Sequence, residues 1–264
     1  SMSSYAPAWV KRDTRRFPRA RSAAGEAQEI LSPFSTENLQ ADRKAFVALM
    51  RHLARVDAEA RTVIMVQVEN EIGMLPDARD HAPAATAAWG EPVPAELIAA
   101  VEAAPGSPVH ALWQAAGRRT SGDWSAVFGT SKAAEEVFMA WSFARYVEAI
   151  ASAGKAEYPL PMFVNAALNR PGAEPGGYPS AGPLPHLFEV WKAGAPSIDL
   201  LAPDIYFPNF VERISPFRRA DNPLFIPEAN QAGREEAVAD ALFAIGRLDA
   251  VGFSPFSIES IERP

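Results

Sequence analysis

Two glutamates stand where apolar runs give out. Residues 62–68 (Thr-Val-Ile-Met-Val-Gln-Val) are short, β-branched and apolar nearly throughout, and they lead into Glu69-Asn70-Glu71-Ile72-Gly73. A buried carboxylate is costly unless it is paired or hydrogen-bonded. At the carboxyl end of a barrel strand, such residues are where catalytic groups sit. The plain alternative is a strand that runs out into a polar loop. The second signal is Leu224-Phe225-Ile226-Pro227-Glu228-Ala229-Asn230, where another apolar run delivers a carboxylate at its end. An ordinary exposed strand terminus is its plain alternative. Two carboxylates at one barrel mouth are the minimum equipment for glycosidic bond cleavage. One protonates the leaving oxygen, and the other attacks the anomeric carbon or activates water.

Further polar groups close other runs. Asn165 ends Met162-Phe-Val-Asn, and Asp204, Tyr206 and Asn209 end the run that starts at Ile198. Asn165, Tyr206 and Asn230 are candidate ligands for sugar hydroxyls, and Asp204 and Asn209 could serve in the same way. Trp89, Trp113 and Trp124 could stack on sugar faces, although a core position is the better reading for each. His52, His81, His110 and His186 lack metal-site spacing, and no nucleophile elbow, phosphate loop or dinucleotide fingerprint is present. The reading therefore includes no metal and no cofactor.

These residues need a scaffold that brings strand ends together. After an irregular, basic opening (residues 1–33, with one short helix at most), Ser35 or Thr36 caps a helix over 37–59. The strand at 62–68 suits a position buried on both faces of a parallel sheet. Residues 73–131 form a long, proline-rich connection with helical pieces near 95–103 and 110–118, and long loops in compact domains tend to be functional. A strong helix follows over 132–153. Then strands at 161–165, 198–206, 224–227 and 251–255 alternate with helices at 184–193, 210–217 and 234–248. This rhythm indicates βαβ units, a parallel sheet, and all strand carboxyl ends on one face. The expected fold is an α/β TIM (β/α)8 barrel. With five strands counted and a helix preceding the first, the chain is expected to lack the first strands and to be one catalytic domain, residues 1–264, cut from a longer enzyme.

Composition agrees. The 264 residues are 48% hydrophobic, carry a net charge of −7 and include no cysteine. That supports one large core and excludes disulfides and thiolate metal sites. The acidic balance argues against a nucleic-acid partner, and the basic cluster Lys11, Arg12, Arg15, Arg16, Arg19 and Arg21 reads as a solvated face. No apolar run reaches membrane-spanning length. Homo-oligomerisation and compartment are left open.

The stretch Val68-Glu-Asn-Glu71-Ile-Gly73 resembles the acid/base motif of glycoside hydrolase family 35 β-galactosidases, with Ile72 replacing an aromatic residue. The Asn70-Glu71 pair is similar to that of the wider clan of retaining (β/α)8 glycosidases, which includes family 42. The resemblance extends to Ser3-Ser-Tyr-Ala-Pro-Ala-Trp9-Val-Lys, to Arg15-Arg-Phe-Pro-Arg19 and to Leu200-Leu-Ala-Pro-Asp-Ile-Tyr206. It implies that Glu71 is the general acid/base, ending strand four, and that Glu228 is the nucleophile, ending strand seven. It also implies that Asn70 binds the hydroxyl beside the anomeric centre and that Glu69 hydrogen-bonds within the site. The implied activity is retaining hydrolysis of terminal β-linked galactose from a carbohydrate substrate. Another retaining β-glycosidase activity (glucosidase, xylosidase or mannanase) and a non-catalytic carbohydrate-binding barrel are the alternatives. In a retaining enzyme the two carboxyls stand about 5–5.5 Å apart, and the acid has a raised pKa.

Overall fold

The basic opening of the chain is more regular than its composition suggests. The computed structural model describes residues 6–230 and 232–259, so residues 3–5 of the Ser-Ser-Tyr motif lie outside the described residues. A short helix α1 (Ala8–Arg12) leads into an antiparallel hairpin of β1 (Arg19–Arg21) and β2 (Ala27–Leu31). The hairpin corrects the expected loop, and its cause lies far away in sequence. Asp80, fully buried, accepts hydrogen bonds from the Arg21 amide (2.9 Å), the Ser32 hydroxyl (2.7 Å) and the Ala82 amide (2.7 Å). Arg19, unlike Arg12, Arg15, Arg16 and Arg21, is buried.

Helix α2 (Thr36–Val56) starts at Ser35, whose hydroxyl accepts from the Asn38 amide. The next strand is shorter than the apolar run that announces it. Asp57, at the end of α2, takes the Thr62 amide (3.0 Å), the Thr62 hydroxyl and the Val63 amide (2.9 Å). That draws residues 62 and 63 away from the ladder, and β3 is confined to Val66–Gln67. β3 is also an edge strand with half-exposed residues, not one buried on both faces.

The proline-rich connection folds into four helices: α3 (Pro83–Trp89), α4 (Ala95–Glu102), α5 (Pro108–Ala115) and α6 (Trp124–Phe128). The expectation of two pieces missed α3 and α6. Both are short, and α6 depends on Asp123 accepting from the Ala126 amide at 2.8 Å. From α7 (Lys132–Glu157) onward the expected alternation holds: β4 (Met162–Ala167), α8 (Phe188–Gly194), β5 (Leu200–Ile205), α9 (Phe210–Ile214), β6 (Phe225–Ala229), α10 (Glu235–Leu248) and β7 (Gly252–Pro255).

β3 to β7 form one parallel sheet in chain order. It is a curled half-barrel, open at β3 and β7 among the described residues. The main core lies between the sheet and its helices, centred on α7. Two glycines allow close helix approach there. A Cβ on Gly154 would run into the Phe46 ring of α2, and one on Gly194 would meet Ala144 at 2.7 Å. A second, smaller cluster of Phe163, Leu200 and Ala202, flanked by Met65 and Phe225, occupies the opposite face. Side chains alternate between faces along a strand. Asn165 and Asp204 therefore share that second face, one step further toward the carboxyl ends.

Candidate active site

The backbone turns sharply as β3 ends. Glu69 (φ 60°) and Glu71 (φ 45°) both adopt the left-handed conformation, which costs a non-glycine residue about 1–3 kcal/mol and persists only where surroundings enforce it. Here side chains enforce it. Asn165 on β4 accepts from the Glu71 amide through Oδ1 (2.9 Å) and donates through Nδ2 to Asn70 Oδ1 (3.1 Å) and Asp204 Oδ2 (2.6 Å). Gln67 Nε2 donates to the Glu69 carbonyl (2.8 Å) and to Asn70 Oδ1 (2.9 Å).

The turn is also backed from behind. Buried Glu136 on α7 accepts from the Tyr178 hydroxyl (2.9 Å) and the Ala181 amide (3.1 Å) and pairs with His186 Nε2 (2.9 Å). This fixes the loop after β4. Met74 and Ser180 exchange backbone hydrogen bonds across it, and Gly73 lies so close that a Cβ would meet the Pro179 backbone at 2.8 Å. His186 thus has a structural partner.

Three carboxyls converge in front of the turn: Glu71, Asp204 from β5 and Glu228 from β6. Asp204 and Glu228 are register partners on neighbouring strands, and the Glu71 carboxyl reaches Asp204. Tyr206 donates its hydroxyl to Glu228 Oε2 at 2.8 Å. Burial, reinforced by the Glu228 charge, raises Glu71 above the ordinary glutamate range. Burial and the charges of Glu228 and Glu71 push Asp204 up to about 9, so it holds a proton at neutral pH. Burial and the Glu228 hydrogen bond raise the Tyr206 hydroxyl, keeping it a donor. A group that can release a proton beside one that can attack is the pattern of acid–base site chemistry.

Of the residues singled out in the sequence, Glu71, Asn70, Asn165, Tyr206 and Glu228 are brought together. Glu69 is not among them, because its carboxyl is hydrogen-bonded to Asp42 on α2. Asn230 lies in the bend two residues beyond Glu228. Asn209 is engaged with Glu212 at 2.9 Å. Trp113 and Trp124 are buried in the main core, and Trp89 packs edge-on against Phe138. Two roles were not foreseen. Gln67 braces the turn, and side-chain alternation from Met65 could have placed it on the site face. Asp204 belongs to the carboxyl cluster, a position that only strand register reveals.

No family model matches the chain, and no curated protein matches it. Solved structures do. The chain is similar to the β-galactosidase of the psychrophilic Marinomonas ef1, with a TM-score of 0.57 and 15% identity over 95% of this chain and 42% of that one. It is similar also to the β-galactosidase of Bacillus circulans sp. alkalophilus, with a TM-score of 0.57 and 14% identity over 95% of this chain and 38% of that one. The chain therefore spans about two fifths of the length of these structures and shares with them the fold of that part.

Proposed function

We propose that this chain carries the catalytic half-barrel of a retaining β-glycosidase that releases terminal β-linked galactose. The observation that carries this reading is the unequal treatment of two facing carboxyls. Glu71 is half-buried and pushed toward its protonated form, partly by Glu228. Glu228 is oriented by the Tyr206 hydroxyl. Both structural neighbours are named as β-galactosidases, and the Glu-Asn-Glu stretch implies the same activity.

On this reading Glu228 attacks the anomeric carbon as a carboxylate while Glu71 protonates the departing oxygen. Formation of the glycosyl ester removes the Glu228 charge. That charge is one cause of the raised Glu71 pKa, so Glu71 then ionises more readily and can activate water. Asn70 has its Oδ1 committed to Gln67 and Asn165, which leaves its Nδ2 donors for the neighbouring hydroxyl. A bond to that hydroxyl strengthens catalysis when it tightens in the transition state.

We further propose that the barrel is completed by strands one to three from outside this chain. Among the described residues the sheet is open at β3 and β7. Exposed Val238, Leu242 and Ile245 recur at helical spacing on α10, beside the open β7 edge, and such a stripe normally faces another element.

The test is hydrolysis of 4-nitrophenyl β-galactoside by the full-length enzyme, with Glu71→Ala assayed in azide. Recovery of turnover with a β-galactosyl azide product is expected. A folded full-length protein that cleaves no β-glycoside would refute the reading.

A further inference from the structure

Glu69 sits two residues before the candidate acid/base, yet its carboxyl turns to α2 and α7. It is hydrogen-bonded to the carboxyl of Asp42 on α2. Asp42 Oδ2 accepts in turn from the Tyr146 hydroxyl on α7 at 3.1 Å. Two ionised carboxylates have no hydrogen to share, so this contact requires one proton between them. Glu69 is the partner whose carboxyl is held in its protonated form, so the shared proton rests there. The surroundings suit that assignment. Tyr146 is buried, and Asp42, Glu69 and Tyr146 line one predominantly apolar pocket with Val68, Phe143 and Ile150. Burial and Asp42 hold Glu69 well above the ordinary glutamate range.

We propose that Asp42 and Tyr146 are positioning residues: through the proton shared with Glu69 they pin the left-handed turn that presents Glu71. The inference rests on reading Glu71 as the acid/base. Gln67 and Asn165 grip the turn from the site side, and Asp42 grips it from the opposite side. Released from Asp42, Glu69 and Glu71 can relax from positive φ, and Glu71 leaves its place relative to the departing oxygen. None of the three residues need touch the substrate.

A displaced acid harms poor leaving groups most, because those require protonation, whereas a 2,4-dinitrophenolate departs without it. The full-length enzyme is therefore assayed on methyl and 2,4-dinitrophenyl β-galactosides. Asp42→Ala should lower kcat/KM, which reports the step that expels the leaving group, about tenfold or more on the methyl glycoside and far less on the dinitrophenyl glycoside. Tyr146→Phe should do the same to a smaller degree. Glu69→Gln, a neutral donor like the protonated acid, should restore most of the activity that Glu69→Ala loses, and Asp42→Asn does likewise if the alanine variant fails to fold. Equal losses on both substrates, or a Glu69→Gln enzyme as impaired as the Glu69→Ala enzyme, would overturn the proposal. If the wild type cleaves no β-glycoside, the functional reading fails, and the crystal structure of Asp42→Ala decides the positioning role. Positive φ retained at residues 69 and 71 refutes it, and relaxation of the turn supports it.

Discussion

Replacing Asp204 with asparagine should stabilise the protein, by an amount that grows with pH. Asp204 is buried beside Glu228 and Glu71 and keeps its proton up to about pH 9, against a usual value of 3.8. The unfolded chain releases that proton near pH 4. Between those limits the folded chain binds one proton more than the unfolded chain, so stability falls as pH rises. The slope is about 1.4 kcal/mol per pH unit, and by pH 7 the burden is on the order of 4 kcal/mol. Asparagine is neutral throughout and has nearly the same shape. Its carbonyl can still accept from Asn165 Nδ2, now 2.6 Å from Asp204 Oδ2. The variant and the wild type should therefore be nearly equal near pH 4 and diverge steadily to pH 8, with the variant the more stable. Guanidinium unfolding followed by tryptophan fluorescence at pH 5, 6, 7 and 8 measures the gap. Parallel stability curves, or a variant less stable at pH 7, would show that Asp204 is not held protonated by its neighbours.

Two further outcomes follow from the site. Tyr206→Phe removes the 2.8 Å bond to Glu228. Hydrogen bonds to charged groups contribute about 1.5–3 kcal/mol, and partial exposure of Tyr206 puts this one at the low end, so kcat on the nitrophenyl galactoside should fall about tenfold with little change in Tm; unchanged kcat counts against Glu228 as the nucleophile. Gly73→Ala places a Cβ 2.8 Å from the Pro179 backbone; we expect about 1–3 kcal/mol of destabilisation and a loss of turnover as the 69–71 turn shifts, and wild-type Tm and kcat would mean that the loop yields freely.

The strand–helix rhythm from residue 132 onward was legible because each strand is a short apolar run and each helix a longer periodic one. Both candidate glutamates could be seen where apolar runs end. What escaped the sequence depends on contacts between distant segments. The β1–β2 hairpin is tied down by Asp80, about 50 residues later, so no local pattern announces it. β3 is shortened by Asp57, whose side chain competes with the ladder for the amides of residues 62 and 63. Glu69 was read with its motif as a site residue. The left-handed turn swings it to Asp42 on α2, a helix whose acidic residues carry no distinguishing pattern in the sequence. Asp204 was visible as a polar residue at a strand end. Its charge state was not, because that depends on the β5–β6 register and on Glu71 arriving from across β4.

The placement of Glu71 against Glu228 poses a mechanical problem for an open sheet. The two residues come from β3 and β6, with β4 and β5 between them, and β3 holds its neighbour through two register pairs only. Backbone pairing at that edge is weak support for a carboxyl that must be positioned to within a fraction of an ångström. Side chains supply what the ladder does not. Asn165 on β4 binds the turn after β3 on one side and Asp204 on β5 on the other. Asp204 is the register partner of Glu228 on β6, and Tyr206, just past β5, reaches Glu228 directly. A hydrogen-bonded chain therefore runs from the turn after β3 through Asn165 to Asp204, and Glu228 stands beside Asp204 in register with its own bond from Tyr206. Asp204 is held neutral in this arrangement, since burial and the charge of Glu228 both disfavour a carboxylate there. The proton that burdens stability at neutral pH is thus the same proton that lets three carboxyls share one site.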